Sequence, residues 1–199
     1  MTPVSTDYRG VRVHQIPPNN QGLTALIMLN VLEGFDLAAM GHNSAPYIHH
    51  LVEAMRRAYR DRAAFVADPA FADVPVDWLT GDARADELRA TIRPDAATPS
   101  DPADLMVPAE SEQTTHYSIV DRDGMAVATT YTLEYGYGSR IVVQGAGFLL
   151  NNQMGDFNAA PGLTTAGGLI GTDPNLTRPE QRPISSMTPP IITAPDGRL

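Results

Sequence analysis

The sequence predicts an α+β chain with its helices first and its strands afterwards, and three observations carry that reading. Helical-period apolar residues are concentrated ahead of Arg93. Residues 93–113, "RPDAATPSDPADLMVPAESEQ", are rich in Pro, Ala, Ser and acids, and only Leu105-Met106-Val107 among them can pack. Runs of β character fill the part that follows: "THYSIVD", "MAVATTYTL", "RIVVQ" and "GFLLNN". Such segregation belongs to layered α+β folds or to the two sides of one sheet sandwich.

In chain order, "VRVHQIPPNNQGL" reads as a short strand and a turn, because Pro17-Pro18 forbids helix and Asn19, Asn20 and Gly22 supply turn chemistry. "LTALIMLNVLEGFDL" is a helix with Leu26, Leu29, Leu32 and Phe35 on one face and Gly34 near its end. Ser44 caps the strongest helix, 45–66, whose apolar stripe is Ile48, Val52, Met55, Tyr59 and Val66. Arg56, Arg57, Arg60 and Asp61 are expected mostly off that stripe, and His49, His50 and Glu53 on a solvated face rather than around a metal. "DPAFADVPVDWL" is irregular, with Phe71 and Trp78 expected in the core, and "GDARADELRATI" is a short amphipathic helix. The 93–113 stretch has the composition of an exposed linker. A long Gly/Pro/Thr loop follows Asp156, and "GYGSR" is a glycine-rich turn rather than a phosphate cradle.

Composition excludes several functions. The 199 residues, 43% hydrophobic, can bury a core. A net charge of −9 without a basic stripe argues against nucleic acid. No apolar run is long enough to span a membrane, and "MTPVSTDYRG" is no signal peptide. With no cysteine there is no disulfide, thiolate metal site or Cys nucleophile. Nothing calls for a metal or another cofactor, and the compartment stays open.

The chemistry concentrates where the linker meets the first strand, at "EQTTHYSIVDRDG". "DRDG" is a turn signal, with Gly124 suited to positive φ. A type I turn with a bulge at Gly124 sets Asp121 against Met125 and Thr114 against Thr132; a two-residue turn would shift that register by one. The first register gathers Thr114, His116, Ser118, Thr130 and Thr132 on one face, and Tyr117, Ile119, Val127 and Tyr131 on the other, a core face. Cleavage before Thr114 would place its α-amine beside its own hydroxyl as a general base, with the Thr132 hydroxyl as support. β-propensity alone also accounts for a Thr-Thr pair.

"TTHYSIVDRDGMAVATTYTL", "GFLLNNQMGDF" and "RPISSMTPPI" together resemble the γ-glutamyltransferase (glutathione hydrolase) family of N-terminal-nucleophile hydrolases. The upstream "PPNNQGL", "LNVLEGFDL" and "AYRDRAAFVADPAF" look like the end of that family's large subunit, so the resemblance covers the chain. It implies an incomplete αββα sandwich, with 1–113 the C-terminal part of a large subunit and 114–199 the start of a small catalytic one. It further implies a zymogen that cuts itself between Gln113 and Thr114. Thr114 then forms an acyl-enzyme with a γ-glutamyl compound, and water or an amino-acid or peptide acceptor resolves it. Thr132 matches the supporting threonine.

By the same resemblance, Gln153 and Asp156 hold the substrate's α-amino group, and Ser185 and Ser186 its α-carboxylate. Glu134 stands where the family has Asn. A carboxylate accepts from an ammonium but cannot donate, which points towards looser selectivity, as in cephalosporin-acylase-like relatives. "NAAPGLTTAGGLIGTDPNL" occupies the place of the lid and has no aromatic residue, which favours hydrolysis. The family's carboxylate-binding arginine and "GSPGG" oxyanion motif lie outside these residues, so the chain alone is expected to be poorly active. The alternatives are a related amide acylase or an inactive truncated fragment. Bacterial family members are usually periplasmic or secreted.

Overall fold

The computed structural model describes residues 2–99, 114–158, 160–161 and 172–199. Leu105-Met106-Val107, Gln113 and most of the expected lid loop lie outside the described residues. The architecture is α+β. Strands β1 (Val4–Tyr8) and β2 (Val11–Gln15) form a hairpin through Arg9 and Gly10, followed by α1 (Gly22–Glu33), a short turn α2 (Leu37–Met40) and the long α3 (Ala45–Phe65). A single turn α4 (Val76–Leu79), inside the stretch expected to be irregular, leads to α5 (Asp82–Ala90). Among the described residues, strands β3 (Thr115–Val120) and β4 (Ala126–Tyr131) pair only with each other, whereas β5 (Ile191–Thr193) joins the edge of β2. β1 is a strand that the sequence reading did not separate from the opening residues. "RIVVQ" and "GFLLNN" fold into a tight loop with one bridge, Val142 to Leu149, instead of two ladder strands.

The core is the contact of α1 with α3. Leu23, Ile27 and Val31 of α1 pack with Ala54 and Ala58 of α3, and with Val66, Leu79, Leu88 and Ile184. Each large aliphatic side chain buried this way contributes about 1.5–3 kcal/mol. The two alanines, four residues apart, lie on the same helix face and let α1 approach closely. Asn30 of α1 accepts from Thr6 Oγ1 at 2.7 Å and donates to the Thr80 carbonyl at 2.7 Å, joining β1 to α4. Arg89 of α5 lies across Gly34 and donates to the last carbonyls of α1, Val31 at 3.1 Å and Asn30 at 2.8 Å. Those carbonyls have no partner within the helix, so a cation there satisfies both hydrogen bonding and the helix dipole.

The start of α3 is as expected, with Ser44 Oγ accepting from the Tyr47 amide. Its buried face is not. Ile48, Val52, Met55 and Tyr59 are 39–46% exposed, while His50, Glu53, Ala54, Arg57, Ala58, Asp61 and Arg62 point inward. An unmatched buried charge costs several kcal/mol, so these groups need partners. Glu53 accepts from Arg57 Nη1 at 2.5 Å, from the Thr98 amide at 2.9 Å and from Thr98 Oγ1 at 2.5 Å. Burial pushes the Glu53 carboxyl up, but Thr98 and Arg57 together bring it down to about 2. Asp61 receives two hydrogen bonds from Arg84, at 2.9 and 2.6 Å. His50 stacks edge-on against Phe35 at 4.5 Å and holds the Pro46 carbonyl through Nδ1 at 2.7 Å. The expectation of a solvated face at His50 and Glu53 is therefore corrected. Trp78 is likewise no core residue: it is 42% exposed, with Phe65 at its edge and the Arg84 guanidinium over its ring.

Residues 172–199 are fastened back onto this helical part. β5 pairs with β2 through Arg12–Thr193, Val13–Ile192 and His14–Ile191. The Ser185 amide donates to Asn19 O at 2.8 Å, and Asn19 Nδ2 donates to Pro183 O at 3.0 Å. Asp68, 1% exposed beyond the end of α3, accepts from the Arg182 amide at 2.9 Å, Nε at 3.0 Å and Nη2 at 2.7 Å. Those hydrogen bonds hold the Asp68 carboxyl at about 2.

Asp68→Ala is expected to cost roughly 3 kcal/mol in urea unfolding at neutral pH, at the lower end for a broken buried pair because Arg182 can turn to water. The depressed carboxyl stabilises the fold at pH above its unfolded value, near 4, and that stability is lost as pH falls towards about 2. Asp68→Ala should lose less stability than the wild type over that window, retaining the part that Glu53 contributes.

Candidate active site

The β3–β4 hairpin sets the first elements of the site. Asp121 and Met125 face each other, with the Asp121 amide donating to the Met125 carbonyl at 3.0 Å. Gly124 sits at φ 85° and donates to Asp121 O at 3.2 Å, while Asp121 Oδ1 accepts from the amides of Asp123 and Met125. This is the bulged turn read from "DRDG". The ladder runs from Val120–Ala126 to Thr115–Tyr131, so Thr114 and Thr132 are the residues that immediately adjoin its last pair. On the same face, His116 engages Thr130 Oγ1 through Nδ1 at 2.7 Å and Ser118 Oγ through Nε2 at 3.2 Å. The opposite face is not the core face expected: Tyr117, Ile119, Val127 and Tyr131 are 47–58% exposed. Burial of that face depends on a covering layer, and the described residues leave it open.

Beyond β4 the chain turns sharply. Glu134 adopts φ 76°, and its amide donates to Thr132 Oγ1 at 2.9 Å. That hydrogen bond fixes the Thr132 side chain and leaves its hydroxyl proton to be donated elsewhere. The Glu134 carboxylate lies against Gly155, where a Cβ would come within 3.0 Å of Oε1. Asn152 ties the two segments together: its amide donates to Leu133 O at 3.1 Å, and its Oδ1 accepts from the Tyr135 amide at 3.2 Å. The 3-10 turn Gln153–Asp156 then carries Gln153, half-buried, and Asp156, anchored by buried Phe157.

Two carboxylates thus come together, Glu134 and Asp156. Burial pushes Asp156 up to about 6, against the opposing pull of Arg62. Burial also raises Glu134, and the Asp156 charge adds to it. Asn175, fully buried, reaches both sides: Nδ2 donates to Asp156 O at 2.8 Å, and Oδ1 accepts from the Ile184 amide at 3.2 Å. The next residue, Ser185, is half-buried with Oγ accepting from the Met187 amide at 3.3 Å, and Ser186 is exposed. Thr114 is exposed, and Gln113 lies outside the described residues.

The sequence reading missed Asn175, Thr172 and Arg62. Thr172 Oγ1 donates to the Ala63 carbonyl of α3 at 2.5 Å, and its own carbonyl accepts from Asn158 Nδ2 at 2.8 Å. Arg62 is the only one of the three with a visible signal, a fourth arginine in "RRAYRDR" where an amphipathic helix should turn apolar. Among the described residues no three His, Cys, Asp or Glu side chains form a group that could hold a metal ion.

Residues 1–199 match the family described as Gamma-glutamyltranspeptidase along their whole length. The chain belongs to that family. It is 45% identical over 201 residues to the glutathione hydrolase proenzyme of Escherichia coli K12, covering 99% of this chain and 34% of that protein. It is 36% identical to the acylase ACY 1 proenzyme of Pseudomonas sp. V22, covering 99% of this chain and 33% of that one. Among solved structures, the cephalosporin acylase of Bacillus halodurans superposes with a TM-score of 0.78 at 30% identity, over 100% of this chain and 33% of that chain. The fold is accordingly the α+β sandwich of the N-terminal-nucleophile hydrolases, present in part. The chain spans about a third of the length of these relatives.

Gly138 holds the site's framework at a point with no room for a side chain. At φ 52° it is in the left-handed region, and a Cβ there would meet the Leu150 carbonyl oxygen at 2.2 Å. Gly138→Ala is expected to push residues 150–153 away from 133–139 and to cost on the order of 3 kcal/mol, left-handed strain plus a backbone clash. Chemical denaturation of the variant checks this.

Proposed function

We propose that this chain carries the processing junction and much of the acyl-transfer site of an enzyme that hydrolyses or transfers γ-glutamyl groups, as in glutathione. The observation that supports it most is the hairpin register, whose last pair, Thr115–Tyr131, adjoins Thr114 and Thr132, with Thr132 Oγ1 held by the Glu134 amide. In this reading a proenzyme cuts itself between Gln113 and Thr114. Residues 1–113 become part of a large subunit and 114–199 part of a small one. The freed α-amine of Thr114 takes the proton from its own hydroxyl as Oγ attacks the γ-carbonyl carbon. The amine of the scissile amide leaves with a proton, and an ester to Thr114 remains. Water releases glutamate, or the amino group of an amino acid or peptide takes the γ-glutamyl group. Thr132 donates to the nucleophile's oxygen. Glu134, Gln153 and Asp156 receive the substrate's ammonium, and Ser185 and Ser186 its α-carboxylate.

One observation favours a second reading, an amide acylase for other acyl groups. Glu134 stands where the resemblance calls for Asn, and an acylase proenzyme is among the similar proteins. At φ 76° the backbone itself favours Asn over Glu.

The complete precursor with Thr114→Ala should stay uncut and lose more than about 10⁴-fold in turnover of γ-glutamyl-p-nitroanilide. Denaturing electrophoresis with N-terminal sequencing decides the first point; a new terminus anywhere but Thr114 rejects the proposal. Glu134→Asn should raise the preference for γ-glutamyl over glutaryl anilide by about tenfold, worth roughly 1.4 kcal/mol, without loss of thermal stability. An unchanged ratio of kcat/KM values removes Glu134 as a selectivity residue.

A further inference from the structure

Arg62 stands in the last turn of α3, ahead of the junction, and is only 8% exposed. Its Nε is buried without a hydrogen-bond partner among the described residues, and its Cζ lies 5.8 Å from the centre of the Tyr59 ring. The Tyr59 hydroxyl is itself held by Gln21 Nε2 at 2.5 Å. The turn carrying Arg62 is docked on the strand-rich part by Thr172 Oγ1, which donates to Ala63 O. Asn158 binds Thr172, and Asn175 binds the Asp156 carbonyl, so α3 and the Gln153–Asp156 turn are fixed to each other. The charged and titratable groups in electrostatic contact here are Arg62 and Tyr59 from α3, Asp156 from the turn and Glu134 from beyond β4. An arginine retains its charge even when buried.

We propose that Arg62 is the positioning cation of the amino-group subsite: from ahead of the junction, it sets the charge of the Asp156–Glu134 carboxylate pair behind it. This rests on reading that pair as the receiver of the substrate's ammonium. Two carboxylates and one guanidinium leave a single negative charge, which one substrate ammonium neutralises. Without Arg62 the pair would carry two negative charges in a half-buried place, and Asp156 would take up a proton instead. A protonated Asp156 no longer attracts an ammonium. The subsite is therefore completed only when α3 is seated against the segment that follows the junction.

The test uses the complete precursor. In a Thr114→Ala background, where no cleavage intervenes, Arg62→Gln and Arg62→Lys are compared by urea unfolding between about pH 5 and 8, each with and without Asp156→Asn. A buried carboxyl with a raised folded pKa loses the fold stability as pH rises from its unfolded value through its folded one, here about 6. Arg62→Gln raises that folded value, so the loss should continue to higher pH. Asp156→Asn should abolish the extra slope, and Arg62→Lys should restore that of the wild type. Parallel pH profiles for wild type and Arg62→Gln would overturn the coupling.

In processed enzyme, Arg62→Gln should raise KM for γ-glutamyl anilide about tenfold near pH 6, converging on wild type above about pH 8, while kcat moves less. KM for glutaryl anilide, which has no ammonium, should not change. An equal rise for both anilides overturns the role at the ammonium subsite. If the wild type turns over no γ-glutamyl anilide, the proposed function fails, and the unfolding arm still decides whether Arg62 and Asp156 are coupled.

Discussion

The Asp68 carboxylate, sealed beyond the end of α3, can exist in this fold only because residue 182 supplies a backbone amide and a guanidinium to it. Much else follows from that single requirement. Meeting it brings residues 183–186 back against the α1–α3 pair, where Ile184 enters the core and Ser185 bonds to Asn19. Asn175 then spans from Ile184 to Asp156, so the position of a candidate site carboxylate is tied to an ion pair just past the same end of α3. A buried ion pair is weak evidence for stability as such, but removing one partner is costly. Its effect here is on placement: a chain that seats Arg182 elsewhere leaves Asp68 unmatched.

The same logic explains the inverted α3. Its apolar stripe from Ile48 to Tyr59 faces outward, while Glu53, Arg57 and Asp61 face in, each matched by a group distant in sequence: Thr98 for Glu53, Arg84 for Asp61 and the Leu88 and Thr91 carbonyls for Arg57. α3 is thus held by directional bonds as much as by burial. Directional bonds admit few alternative packings, because a shift of one residue would strand several charges together.

The hairpin register was legible in "DRDG" because a bulged turn fixes every pairing behind it, out to Thr115 and Tyr131. The Ser44 cap and the span of α3 were legible too, being set by local chemistry. Which face of α3 is buried was not, since helical periodicity marks where apolar residues lie and says nothing of polar ones matched from afar. The small spacing of Ala54 and Ala58 was the available sign of close helix contact. "RIVVQ" and "GFLLNN" looked like strands because Val and Leu fit a pleated sheet, yet Gly145 and Gly147 at positive φ fold them into a loop. At the site, the motif blocks named Glu134, Asp156 and the serines, whereas Arg62 became visible only once the helix face was known.

β2 and β5 lie on opposite sides of residue 113 in sequence, yet they are hydrogen-bonded neighbours in one sheet. Covalent continuity and structural continuity are therefore separate properties of this fold. A polypeptide severed before Thr114 would keep its ladder, its Asp68–Arg182 pair and its Thr172–Ala63 bond, so the two pieces would stay at a high effective concentration for each other. Once separated by denaturant and diluted, they would have to find one another again in a bimolecular step, and refolding would depend on protein concentration in a way that the intact chain would not.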